Sequence, residues 1–209
     1  MAKNLFNAAG YGNIKEIQRF LKKGIDINHK FDTGMTALTN ACFAGHKEAA
    51  KFLIDNGADI NLANEYGITP IFSACRNSQY HMIKFLLKHG ADINHKNKEG
   101  ETPLMTASGY SVCVDTVKIL LDNDADIHVK TPKGYTALMN AAWSSEKCSL
   151  EIMKLLIKKG SDIDTKTKDG RTALSLSKKR GYMEKVKLLK KAKNSLLRKI
   201  KKFFTNTQK

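Results

Sequence analysis

The 209-residue chain has one tryptophan, three prolines and four cysteines, and each scarcity removes a class of protein. Cys42, Cys75, Cys113 and Cys148 lack the CxxC spacing of a zinc or redox motif, and four in this length is no disulfide framework, so they read as reduced thiols. No stretch approaches the roughly 20 apolar residues that span a bilayer. Residues 1–12 carry one Lys and are not followed by a continuous apolar segment, unlike a secretory leader. A cytoplasmic, intracellular location is therefore expected, with delivery into another cell left open. Catalytic signatures are missing as well: no Gly-x-Ser-x-Gly, no phosphate-cradling glycine loop, no His-Glu-x-x-His, no paired carboxylates. A non-enzyme without metal or cofactor is expected.

What remains is ordinary globular composition, 42% hydrophobic and 27% charged, which argues against a wholly disordered chain. The charge is unusual at +16, with Lys outnumbering Arg 31 to 5. It is also unevenly placed. Residues 178–209 carry +12 with a single acid, Glu184, whereas residues 1–177 carry only +4. A general bias toward lysine would spread evenly, so the charge belongs to the C-terminal end.

The body of the chain repeats. Gly34-Met-Thr-Ala-Leu38 returns as Gly67-Ile-Thr-Pro-Ile71, Gly100-Glu-Thr-Pro-Leu104, Gly134-Tyr-Thr-Ala-Leu138 and Gly170-Arg-Thr-Ala-Leu174, at steps of 33, 33, 34 and 36 residues. A second block keeps the same period: Gly24-Ile-Asp-Ile-Asn28, Gly57-Ala-Asp-Ile-Asn61, Gly90-Ala-Asp-Ile-Asn94, Asp124-Ala-Asp-Ile-His128 and Gly160-Ser-Asp-Ile-Asp164. Each Thr stands where a hydroxyl caps the first free N–H groups of a helix, and Pro70 and Pro103 follow at the position where a missing N–H costs nothing. The glycines at 24, 57, 90 and 160 suit left-handed helix stops, with Asp124 in that place once. Between these marks lie two short amphipathic helices per unit, the first pairing Leu or Ile with Ala at i+3, as in Leu38 with Ala41. One such unit cannot bury its stripe alone, so neighbours must stack.

These motifs resemble the ankyrin repeat family over residues 1 to about 193. The resemblance implies an all-α repeat solenoid of helix-turn-helix units joined by β-turn or hairpin loops. Six units are expected, at about 1–33, 34–66, 67–99, 100–133, 134–169 and 170–193, followed by a basic tail at 194–209. The His that commonly follows Thr-Pro-Leu in that family is absent, with Thr39, Phe72, Met105, Met139 and Ser175 in its place. The turn between paired helices is one residue longer near 108–115 and three longer near 143–150, as recognition loops or as tolerated insertions.

The resemblance implies a protein-interaction module, expected to be monomeric, that holds a partner in its concave groove. The groove positions that carry over here are Met35, Phe43, Tyr66, Ile68, Arg76, Tyr110, Tyr135, Trp143, Arg171, Lys179 and Arg180, running from apolar and aromatic to basic. Aromatics and Arg anchor interfaces when buried against a partner. Trp143 leads that set, the bland alternative being a ring packed over the enlarged turn beside it.

In the tail, Leu196, Leu197, Ile200, Phe203 and Phe204 share one helical face, among Lys190, Lys191, Lys193, Arg198, Lys199, Lys201 and Lys202. A cap over the last repeat, weak contact with an anionic membrane or nucleic acid, and a helix-binding partner all fit this pattern.

Overall fold

The computed structural model describes residues 2–32, 34–110 and 113–206, and within them the side chains from 5 to 198. Among these the chain is all helical, in six pairs: α1 (Ala2–Gly10) with α2 (Ile14–Lys22), α3 (Ala37–Ala44) with α4 (Lys47–Asp55), α5 (Pro70–Arg76) with α6 (Tyr80–Lys88), α7 (Pro103–Tyr110) with α8 (Val114–Asp122), α9 (Ala137–Trp143) with α10 (Ser149–Lys158), and α11 (Ala173–Lys179) with α12 (Met183–Asn206). Each first helix packs on the first helix of the next pair, α1 on α3 through α9 on α11. The result is the all-α repeat solenoid that the period demands.

The core repeats with the sequence. Leu38, Ile71, Leu104 and Leu138 are at most 1% exposed, and Ala41, Ala74, Ala107 and Ala141 are sealed one turn later, where a larger side chain would hold neighbouring helices apart. Cys42 and Cys75 occupy the next small position and are also fully buried. Burial pushes both thiols far above their ordinary range, which leaves no thiolate for chemistry.

The capping threonines behave as their position requires at four of five repeats, accepting from the third helical N–H at Thr39, Met105, Met139 and Ser175. Thr69 is the exception: the Phe72 N–H goes to the Thr69 carbonyl, and the buried Thr69 hydroxyl has no partner. Hydroxyls partly replace the absent His. Thr36 Oγ1 lies 3.0 Å from Thr39 Oγ1, and Ser175 Oγ accepts from the Thr172 N–H at 2.9 Å.

A further ladder ties the repeats together. In each Gly-x-Asp-Ile-Asn block the Asn side chain reaches the next repeat: Asn28, Asn61 and Asn94 accept from the backbone N–H of Asp59, Asp92 and Asp126 at 2.8–2.9 Å. Asn28 and Asn61 also donate to the carbonyls of Gly57 and Gly90. The recurrence of Asn at that position was the available signal. At the last block the residue is Asp164, which instead receives Lys193 Nζ at 2.6 Å.

Left-handed backbone stands where predicted, at the glycines of 24, 57, 90 and 160 and at Asp124, whose φ is +64°. An L side chain there carries a strain that glycine does not. Asp124→Gly is expected to raise stability by about 0.5–1 kcal/mol in chemical denaturation, and a loss of stability would contradict the assignment.

The last helix differs from the others. At 24 residues, or about 36 Å, α12 runs unbroken through residues 193 and 194, where the sequence suggests the array ends and the tail begins. Its first half packs on α10 and α11 through the nearly sealed Val186 and Leu189. From residue 194 to 198 it is uncovered: Leu196 and Leu197 are 47% and 48% exposed, so at these positions the tail does not cap the last repeat. No helix among the described residues is long and apolar enough to cross a membrane.

Candidate functional site

Two rows of side chains run along one face of the array, each taking one residue per repeat. The first row lies where the first helices end: Phe43, Arg76, Tyr110, Trp143 and Arg180. The second is the residue just before each capping Thr: Met35, Ile68, Glu101, Tyr135 and Arg171. First helices of seven or eight residues stacked in register place these residues side by side, so a 33-residue period becomes a continuous surface.

Between the rows lie two depressions. One, of about 760 Å³, is lined by Met35, Phe43, Tyr66, Ile68, Arg76 and Tyr110 among others. The second, of about 520 Å³, is lined by Tyr110, Tyr135, Trp143, Arg171 and Arg180, with Glu146 from the enlarged turn. The structure thus brings together ten of the eleven groove residues named from sequence. Lys179 is exposed and lines neither depression.

The aromatic rings stand open. Tyr66 is 63% exposed, Tyr110 55%, and Phe43 and Trp143 41% each. Two guanidinium groups lie over rings of this row, Arg76 at 5.3 Å from the Tyr110 centroid and Arg180 at 4.5 Å from that of Trp143. Arg171 donates to the Tyr135 hydroxyl at 3.2 Å and pairs with Asp169 at 2.7 Å. The Thr167 hydroxyl bonded to Asp169, reinforced by Arg171, holds that carboxyl below the usual range. Glu101 borders both depressions and breaks the drift from apolar to basic: the Asn97 and Asn140 side-chain amides donate to its carboxylate at 3.3 and 3.4 Å.

Trp143 shares the second depression with Ser144, Ser145 and Glu146 of the enlarged turn and keeps 41% of its surface exposed. The start of the turn is secured by Lys185, a residue that looks from sequence like one more charge of a basic end. It is 5% exposed, and its Nζ donates to the Ala141 and Ser144 carbonyls at 2.8 and 2.5 Å, closing the C-terminal end of α9. Ser144 Oγ completes the lock by donating to the Gly109 carbonyl at 2.7 Å.

Burial, with Arg180 nearby, lowers the Lys185 ammonium to about 8. In the unfolded chain it titrates near 10.4, so between pH 8 and 10 the unfolded state binds more protons and this group adds stability as pH rises. A neutral amine still has two N–H donors, so both carbonyl bonds survive. The stability difference between the intact protein and Lys185→Met is expected to widen from pH 7.5 to 10 in paired melts; parallel curves would contradict the lowered pKa.

Among the described residues no cluster of three or more His, Cys, Asp or Glu could hold a metal ion. Of the basic tail residues, Lys190, Lys191, Lys193 and Arg198 are exposed, and Lys193 is engaged by Asp164. The side chains of Lys199, Lys201 and Lys202 lie outside the described residues.

Comparison with known proteins agrees with this geometry. A family model of ankyrin repeats in three copies matches residues 5–97 and 89–167. A Rickettsia felis protein described as an ankyrin repeat protein is 45% identical over 51 residues, which is 24% of this chain and 17% of that protein. The chain therefore spans only a small part of that relative. Among solved structures, a chain in the complex of the Bd0816 predatory endopeptidase from Bdellovibrio bacteriovorus with immunity protein Bd3460 superposes with a TM-score of 0.77 at 31% identity, over 90% of this chain and 97% of that one. With the family model covering most of its repeats, this chain belongs to the ankyrin repeat family.

Proposed function

We propose that the protein is a non-catalytic interaction module that holds a protein partner along the groove between the two rows. Ankyrin repeats generally mediate protein–protein interaction and are typically non-catalytic, and the similar solved structure is itself of a complex between two proteins. The observation that carries the reading is the row of exposed Tyr66, Tyr110 and Trp143 beside arginines that line the same depressions. Rings and guanidinium groups are the side chains whose desolvation anchors interfaces, and the depressions give a partner's side chains somewhere to bury. A crosslinking pull-down from the native lysate, comparing the intact chain with Trp143→Ala, tests it. Equal recovery of the same partner by both would remove the groove from the reading.

A second reading concerns the tail: contact with an anionic surface, membrane or nucleic acid. It is favoured by Leu196 and Leu197, which continue α12 past the array with their side chains half exposed, and by the near absence of acids after residue 178. Each Lys beside an anionic leaflet contributes about 1 kcal/mol, so four to eight engaged would give only a localising affinity. Binding to phosphatidylserine vesicles or to DNA is expected to be steeply salt-dependent and to be lost on truncation after Lys193. Equal binding by both forms would dismiss the tail.

A further inference from the structure

The groove's charges are not uniform, and their order specifies a partner. Four arginines lie in the described array, and two of them pair with acids of their own chain, Arg19 with Glu16 and Arg171 with Asp169. Arg76 and Arg180 have no carboxylate within 4 Å among the described residues; each guanidinium lies over an aromatic ring of the adjacent repeat, 5.3 and 4.5 Å from the ring centroid. A guanidinium held over a ring by cation–π attraction keeps its N–H donors, and both of these groups line the depressions. That is the arrangement a carboxylate accepts bidentately at least cost in side-chain entropy.

Between these two positions the row offers only the rings of Tyr110 and Trp143, while from the opposite row Glu101 presents a carboxylate to both depressions. Asn97 and Asn140 donate to Glu101, yet amides leave its charge in place, so an acid from a partner would be repelled at that point. Lys98 and Glu99 offset each other in the first depression; Glu146 adds a second carboxylate to the second, where Arg171 and Arg180 also stand.

We infer that the groove is built for an extended peptide segment carrying two acidic residues, which pair with Arg76 and Arg180, separated by an apolar stretch that includes one cationic or N–H-donating side chain facing Glu101. This inference rests on the groove reading above and gives it a chemistry. The two arginines lie three repeats apart. At 8–10 Å between packed helices that is about 24–30 Å, which an extended strand covers in about eight or nine residues.

The chain contains a single tryptophan, Trp143, and it lies in the groove, so its emission reports binding directly. The probes are two tryptophan-free synthetic peptides of one composition. In the first, Glu residues stand nine apart with Leu between them and a central Lys; in the second, the Glu residues are central and the Lys is terminal. The first is expected to bind about tenfold or more tighter to the full-length protein. Arg76→Gln and Arg180→Gln should each erase most of that preference without moving the melting transition, and Glu101→Gln should remove the advantage of the central Lys. Equal affinities, or no binding by either peptide, would overturn the charge order. If the peptides are not distinguished while Trp143→Ala still loses its native partner, the groove stands and only its charge pattern falls; if Trp143→Ala keeps the partner, both fall.

Discussion

Trp143→Ala is expected to weaken partner binding about 30-fold or more while changing stability little. The ring lies fourth of five in its row, in a depression of about 520 Å³, with Arg180 over it and 41% of its surface open to a partner. Truncating an anchoring interface tryptophan costs on the order of 2 kcal/mol or more, and about 2 kcal/mol is a 30-fold loss of affinity. The fold does not share that cost. The core beneath is closed by Leu138, Ala141 and Ala142, all sealed, and the adjoining turn has its own hydrogen bonds from Lys185 and Ser144. A melting temperature lower by several degrees would show instead that the ring packs structurally. Arg180→Gln should lose less, because it leaves the ring in place and removes only its stacked cation.

The largest effect on stability is expected where one repeat's turn lies against the next repeat's backbone. Gly67 has φ +79°, and a Cβ there would stand 2.8 Å from Asn97 Cα and 2.9 Å from the Lys98 nitrogen. Neither is the end of a flexible side chain that could move aside. The same junction carries the Lys98 N–H bond to the Tyr66 carbonyl at 3.0 Å, which a displaced hairpin would lose. Gly67→Ala thus combines left-handed strain with a backbone clash and a lost bond, and about 3 kcal/mol is expected, roughly 6–12 °C in a chain of this size. Gly57→Ala is the comparison: its φ is +92°, yet its Cβ would meet nothing within 4 Å, so only the conformational part, about 1 kcal/mol, should appear. Equal losses at the two positions would mean that close approach between repeats contributes nothing.

Features that recur with the period were legible in the sequence, because periodicity converts one residue's role into five. The Thr caps, the left-handed stops and the sealed Leu and Ala positions follow from spacing and residue type, and the groove rows follow from the same register. What escaped the reading is what happens once. Lys185 looks like any lysine of a basic terminus, and only the meeting of α12 with the end of α9 turns it into a buried helix cap. In the sequence Glu101 stands only as the variable residue of its Gly-x-Thr block. Its importance comes from Asn97 and Asn140 on either side, the latter 39 residues away in sequence. The continuity of α12 was hidden for a different reason: the tail's apolar spacing shows a helix but not where that helix begins, and the change from buried Leu189 to exposed Leu196 depends on where α10 and α11 stop.

The account's central claim is that partners bind on the face carrying the two rows. A photo-crosslinking side chain placed at Tyr110, in the middle of the groove, and the same group placed at the exposed Lys84 of α6, test it most directly in the native lysate. The account predicts one discrete crosslinked partner band from position 110 and none from position 84; the same band from position 84 alone would contradict it.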